Sequence, residues 1–330
     1  MDLLFREPLN WRPTASLETL RLRSRILSEI RTFLGERGLV EVDTPACSAA
    51  AVTDPVLDSL ATRFTGPGAP SGKPLYLHTS PEFAMKRLLA AGSGPIYQIC
   101  KVFRDGEAGR YHNPEFTLLE WYQPGYGPHQ LMDEVSELVQ KVAAKPLAES
   151  RLSYKELFQQ HLGIDPHNAS LESLCECAVA RGITGAEELQ LKDSGAWLDL
   201  LLSHCIEPEM DSGILFVYDY PASQASLARL KPGKIPLASR FELYLDGVEL
   251  ANGFHELADA GEQRRRFQQD LENRRRENRP GVPLDERFLA ALEAGLPDCS
   301  GVALGVDRLL MQIAGVSHIE QVLAFPIEWA

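Results

Sequence analysis

RFELYLDGVELANGFHEL, residues 240–257, sets two apolar runs on either side of Asp246-Gly247. Asp-Gly supplies the two positive-φ positions of a tight hairpin turn. That turn puts Leu245 opposite Val248 and Tyr244 opposite Glu249. Glu242 shares a face with Tyr244, so Glu242 and Glu249 are diagonal neighbours, roughly 7–8 Å apart at the backbone. Two carboxylates so placed repel unless a cation joins them, and a divalent ion suits the pair. A solvated outer face with Lys or Arg nearby is the competing reading of the hairpin taken alone. Farther along, strict alternation sends Asn252 and Glu256 to the other face. A bulge at Gly253 would return them to the side of Glu249, and we expect one there.

A second hairpin is written in VFRDGEAGRYHNPEFTLLEWY, residues 102–122, which places two arginines, a histidine and three glutamates between apolar runs. Period-two alternation puts Glu120 and Tyr122 on one face and Leu119 and Trp121 on the other. The apolar face belongs to the core. An acid beside a phenol on the inner face suits an amine or hydroxyl ligand; a hydrogen-bonded rim pair is the bland alternative.

Outward from these hairpins, residues 16–37 read as an amphipathic helix with Ile26, Ile30, Phe33 and Leu34 on its apolar side. Ser16 suits its cap and Gly38 its left-handed end. LVEVDTP follows as a short strand closed by Pro45. PLYLHTSPEFAMKRLLAAG runs from strand to helix, with Thr79 or Ser80 as cap and Pro81 in the first turn. Residues 129–210 read as mainly helical, an insertion within a single domain spanning 1–330. GILFVYDYP (213–221) is a buried strand, a charged helix follows at about 259–278, and GVALGVDRLLMQIAG (301–315) runs from glycine-rich strand to helix. Hairpins with helices between distant segments predict an α+β fold on an antiparallel sheet.

The net charge of −13 gives no global attraction for nucleic acid. The arginine runs at 264–278 alternate with acids and glutamines and read as a solvated helix face. Six scattered cysteines without C-x-x-C spacing suit reduced thiols, and no apolar run reaches spanning length. The expectation is a cytoplasmic protein that does not enter a membrane.

Neither usual phosphate loop is present. Arg104 ends one strand, however, and Arg308 opens the helix after the 301–305 glycine run. A guanidinium matches phosphate oxygens, and glycines beside it let a flat ring approach the backbone. A lone Arg308 would more ordinarily pair with Asp307 or another acid. Two arginines together with Glu242 and Glu249 favour a nucleoside triphosphate with Mg²⁺.

With these residues in hand, the chain resembles the catalytic domain of class II aminoacyl-tRNA synthetases of the lysyl branch. FLGERGLVEVDTP, FRDGEAGRYHNPEFTLLEWY and GVALGVDRLLM look like the three class motifs in order, with TSPEFAMKRLL and ELANGFHEL between them. The resemblance implies a six- or seven-stranded antiparallel sheet and a homodimer built on the first motif. It implies ATP held by Arg104 at the α-phosphate, Arg308 at the far end, and Phe116 stacked on adenine. Asp105, Gly106, Glu107, His112, Asn113, Glu249, Leu250 and Gly305 would also line the nucleotide site. Glu242 and Glu249 would carry Mg²⁺. Ser80, Pro81, Glu82, Glu120, Tyr122, Asn252, Glu256 and Ala303 would surround the amino acid.

The departures are informative. Only about fifteen residues precede the first-motif helix, so no anticodon-reading barrel is expected and no tRNA partner. Position 303 is Ala where lysyl-tRNA synthetases usually place Gly. Arg104-Asp105-Gly106 stands where relatives read Arg-Asn-Glu, and Glu107 is expected to take over the missing acid's adenine contact. These features resemble the elongation factor P lysine ligases. That resemblance implies activation of (R)-β-lysine, or lysine, as its adenylate and transfer to a lysine amine of elongation factor P. The alternatives are tRNA charging by a truncated lysyl-tRNA synthetase-like enzyme and a non-catalytic regulatory paralogue.

Overall fold

The computed structural model describes residues 11–69, 71–189 and 191–330, so most of the N-terminal stretch read above lies outside the described residues. Helix α1 (Leu17–Glu36) starts where Ser16 accepts a hydrogen bond from the Thr19 N–H, and it buries Ile26, Ile30, Phe33 and Leu34. Gly38, at φ +79°, turns the chain into β1 (Val40–Glu41). Strands β2 (Cys47–Ser48), β3 (Ala61–Phe64) and β4 (Lys73–Leu77) form a small separate sheet in the order β2-β4-β3.

Helix α2 (Glu82–Ala90) leads to the first hairpin, β5 (Ile96–Phe103) and β6 (Glu115–Pro124). Then come α3 (Pro128–Ala143), β7 (Glu149–Ser153), α4 (Tyr154–Leu162), α5 (Leu171–Ala180) and α6 (Ser194–Leu201). Strands β8 (Ile214–Pro221), β9 (Leu230–Lys231), β10 (Leu237–Leu245) and β11 (Val248–His255) precede α7 (Ala260–Arg276) and α8 (Glu286–Gly295). The chain returns through β12 (Cys299–Gly305) to α9 (Val306–Ala314).

The large sheet runs β1-β5-β6-β12-β11-β10-β8-β7, with β9 beside β10, nine strands among the described residues. Its centre is antiparallel. Two edge pairings, β1 with β5 and β7 with β8, are parallel, so the sheet is wider and more mixed at its rims than the resemblance implied. The helical stretch read at 129–210 is interrupted by β7, and α3 packs into the main core through Leu131, Val135 and Leu138.

Alternation gives the sheet two unlike faces. Leu119, Trp121, Phe241 and Leu243 pack with α1, α3 and α9 in the main core. On the opposite face, Tyr244 and Val217 join the second core with α4 to α6, while Tyr122 joins a third with α2, α7 and α8. Between those two helical groups the sheet is left uncovered, and a cleft forms there.

The Asp246-Gly247 turn has φ of 51° and 75°, as a two-residue hairpin of this kind requires. Leu245 faces Val248 and Tyr244 faces Glu249. The bulge, however, is not at Gly253. Register slips between Tyr244↔Glu249 and Leu243↔Ala251, so the unpaired residue is Leu250. Gly253 is small for another reason: a Cβ there would meet the Phe241 ring at 2.3 Å. The solvated-face reading of the arginine helix also needs correction at one position. Arg265 and Arg275 are exposed, but the Arg274 side chain is 2% exposed and bonds Asp58 and the carbonyls of Asp54 and Pro280.

Candidate active site

The cleft has a volume of about 1000 Å³ and is floored by β6, β11 and β12. Glu120, Ala303 and Asn252 lie side by side across those three strands, and Asn252 faces Glu242 on β10. The Leu250 bulge produces this row. It re-phases β11 so that Glu249 and Asn252 both share a face with Glu242.

At one end sits an arginine group. Arg308 donates to the Glu249 carbonyl at 2.9 Å, to its carboxylate at 3.2 Å and to His112 Nε2 at 2.6 Å. Its acid partner is thus Glu249 and not Asp307. Asp307 is buried, ion-paired with Arg23 at 2.5 Å and accepting from the Thr117 N–H. Burial and the Arg308 charge lower the His112 pKa, so a neutral ring accepts this bond. Arg104 lies 5.0 Å from the Phe116 ring centroid and 3.6 Å from Glu107. One Glu107 carboxylate oxygen is buried without a partner. Asn113 reaches back to the Glu115 carbonyl and accepts from the Ile327 N–H.

At the other end are three acids. Glu120 is 2% exposed and accepts from Ser80 at 2.7 Å and Tyr122 at 2.6 Å. Burial, then the charge of Glu82, pushes its pKa up to about 7, although those two hydrogen bonds pull the other way. Ser80 also accepts from the Glu82 N–H, so it serves the start of α2 and the cleft together. The N-cap position itself is Pro81, one residue past the two candidates read from sequence. Glu256 projects from the end of β11 toward Gly301. A Cβ at 301 would stand 2.5 Å from Glu256 Oε1 and 2.3 Å from the Tyr122 ring, so glycine leaves the room these groups occupy.

Sequence reading brought together Ser80, Pro81, Glu82, Arg104, Glu107, His112, Asn113, Phe116, Glu120, Tyr122, Glu249, Leu250, Asn252, Glu256, Ala303, Gly305 and Arg308, all of which line the cleft. Asp105 and Gly106 do not; they lie exposed on the loop, where the Asp105 N–H bonds the Asp58 carbonyl. Glu242 lies beneath the lining, 6% exposed, accepting from Tyr220 and Tyr244 at 2.6 Å each and from Arg240.

Three participants were missed. Arg240 bonds Glu242, Asn252 and the Gln224 carbonyl and so ties the buried acid to the cleft floor. Glu207 is pushed up to about 7 by burial and by the charges of Glu249 and Glu242. Lys86 sits fully buried between Glu82 and Glu256. Arg240 and Lys86 each have one acid close in sequence, Glu242 and Glu82, but Asn252, Glu256 and the charges around Glu207 come only with the tertiary fold.

Among the described residues no group of three or more His, Cys, Asp or Glu side chains has metal-site geometry. The charge pattern nevertheless fits a divalent cation brought with phosphates. Glu249 is held above the usual carboxylate range by the surrounding protein and by Glu242, with only Arg308, Arg240 and Arg104 opposing. Mg²⁺ commonly takes one or two carboxylates plus substrate oxygens, and of the Glu242/Glu249 pair it is Glu249 whose carboxyl group lines the cleft.

The family profile of class II tRNA synthetases (D, K and N) matches residues 4–328. A protein of Proteus mirabilis named elongation factor P–(R)-β-lysine ligase is 51% identical over 322 residues, covering 97% of this chain and 98% of its own. Proteins of the same name from Edwardsiella ictaluri and Photobacterium profundum are each 50% identical, covering 97% of this chain and 98% and 99% of theirs. No helix among the described residues is long and apolar enough to cross a membrane. The chain therefore belongs to the class II tRNA synthetase family (D, K and N), and within it to the group of elongation factor P–(R)-β-lysine ligases.

Proposed function

We propose that this protein activates (R)-β-lysine with ATP and transfers it to a lysine side chain of elongation factor P. One observation carries the reading: a single cleft presents Arg104 and Arg308 at one end and Glu82, Glu120 and Glu256 at the other. Arginines suit the triphosphate and buried acids suit the two ammonium groups of a lysine isomer. The names of the relatives supply the acceptor.

The substrate carboxylate is already ionised and needs no general base. Its oxygen attacks the α-phosphorus, the bond to the bridging oxygen of the β-phosphate breaks, and pyrophosphate leaves. In the second step a neutral lysine amine attacks the adenylate carbonyl. A C–N bond forms, AMP leaves, and the amine gives up a proton. Arg104 aligns the α-phosphate and Arg308 the far phosphate, while Phe116 and His112 line the adenine. Asn113, Glu107, Leu250 and Gly305 complete the nucleotide side; Ser80, Pro81, Tyr122, Asn252 and Ala303 complete the amino-acid side. Asp105 and Gly106 are given no direct contact. Mg²⁺, held by Glu249 and Glu242, would neutralise phosphate charge.

The chain works in this reading as one catalytic domain and as a homodimer, for which the exposed Leu17 and Val40 at the first motif are the support. Six free thiols suit the cytoplasm. The test is ATP–pyrophosphate exchange. It should depend on (R)-β-lysine and proceed without tRNA; exchange that produces charged tRNA with no modified elongation factor P would favour the synthetase alternative.

A further inference from the structure

Lys86 is the most unexpected charge in the molecule. Its side chain is 0% exposed, and its ammonium lies 2.5 Å from Glu82 Oε1 and 2.5 Å from Glu256 Oε2. Lysine is almost never taken wholly out of water unless paired, and here it is paired twice. It lies one helical turn after Glu82 on α2, while Glu256 arrives from the end of β11. The aromatic floor behind it is Phe288, whose ring centroid is 5.9 Å from the ammonium and which stacks on Phe83 at 4.6 Å. Glu82, Glu256 and Glu120 line the cleft; Lys86 does not.

A structural pin between α2 and β11 could be made of apolar side chains at less cost, since a buried ion pair is weak evidence for stability. What an ammonium does here that a methyl group would not is act on the two carboxylates. Two buried acids and the half-buried Glu82 crowd one end of the cleft, and Glu120, whose hydrogen bonds come from Ser80 and Tyr122, is pushed up to about 7. Burial, with the charges of Glu82 and Glu120, pushes the Glu256 pKa up to about 8 against Lys86, the largest influence lowering it, while Lys86 itself is raised. The proton of that pair therefore stays on the lysine.

We infer that Lys86 is a positioning residue for the amino-acid substrate: its buried ammonium, ion-paired to both, holds the Glu82 and Glu256 carboxyl groups at fixed separation, so that the pocket selects an amino acid carrying two ammonium groups. The one resident ammonium is shared between Glu82 and Glu256, and a ligand's ammonium groups supply the remaining positive charge for the three carboxyl groups. A ligand with one amine leaves a buried carboxylate unmatched. Without Lys86, Glu256 holds its proton to higher pH and ceases to attract an ammonium. This inference rests on the proposed amine-binding role of the three acids.

The test is (R)-β-lysine-dependent pyrophosphate exchange by the full chain and by Lys86→Met, measured from pH 6 to 9. The expected result is at least a tenfold rise in KM for the amino acid at pH 7. KM for ATP and kcat should stay within threefold, and the pH at which amino-acid KM reaches half its change should move up by one unit or more. An unchanged amino-acid KM and pH midpoint in a folded Lys86→Met overturns the inference, as does an equal loss in kcat with no KM change. If Lys86→Met does not fold, Glu82→Gln/Lys86→Met is compared with Glu82→Gln alone. The double variant should add the upward pH midpoint, and a midpoint identical to the single variant's overturns the inference. Unaltered protein that gives no exchange with any amino acid contradicts the proposed function and this inference together; unaltered protein that exchanges alongside an indistinguishable Lys86→Met contradicts the role of Lys86 alone.

Discussion

Arg308 donates to Nε2 of His112 at 2.6 Å, from a helix and a hairpin loop 196 residues apart in sequence. The contact closes the nucleotide end of the cleft and points a guanidinium along it. Its acid partner among the described residues, Glu249, is itself the residue expected to share a cation.

Removing that guanidinium should hurt chemistry far more than folding. Arg308 is only partly buried, and its lost partners can find water. By analogy with deleting one preorganised donor, Arg308→Ala should lower kcat for pyrophosphate exchange by about 10²–10³, or ~2.7–4 kcal/mol. Steady-state kinetics beside a thermal melt separates the two effects.

The amino-acid end should respond to pH. An ammonium ligand needs its acids ionised, and Glu120 titrates at about 7 because it is buried beside Glu82. Amino-acid KM should therefore rise as pH falls from 8 to 6, with KM for ATP not following the same curve. A KM that is flat over this interval would remove Glu120 from the binding set.

Two glycines predict different failures. Gly301→Ala drives a methyl group into Tyr122 and Glu256 at the cleft wall, so amino-acid KM should rise with little change in KM for ATP. Gly253→Ala drives one into the Phe241 ring within the core. That is overpacking, and a loss of ~1–3 kcal/mol in denaturant unfolding is expected.

Arg240→Met tests the connection between Glu242 and the cleft floor at Asn252. It strands the buried Glu242 carboxylate, with Tyr220 and Tyr244 as its remaining donors, and frees Asn252. Breaking a buried pair from one side commonly costs about 3–5 kcal/mol. A melt that does not move would mean that the Arg240–Glu242 pair contributes nothing to stability.

Much of this site was legible in the sequence because strand alternation and turn chemistry are local. Asp246-Gly247 announces its turn, and Glu120 with Tyr122 announces its face against Leu119 and Trp121. The bulge misled because glycine has two uses. At 253 it makes room for Phe241, whereas the register slip falls on Leu250, whose side chain gives no sign of it. Lys86, Arg240 and Arg274 were illegible for a different reason. A charged residue on a helix or strand reads as solvated until the fold buries it: Lys86 and Arg240 have acids close by in Glu82 and Glu242, but Glu256 and Asp58 come from distant segments and Asn252 from the neighbouring strand. Asp105 and Gly106 were carried to the nucleotide by motif position alone, and the left-handed turn at Gly106 leaves both in solvent.

The central claim is an activated lysine isomer delivered to a protein amine. Its most direct measurement is the intact mass of elongation factor P after incubation with this protein, ATP, Mg²⁺ and (R)-β-lysine. The account predicts a gain of one lysyl unit that is lost with Arg308→Ala. An unchanged mass, with the unaltered protein folded and active in pyrophosphate exchange, would contradict the protein acceptor.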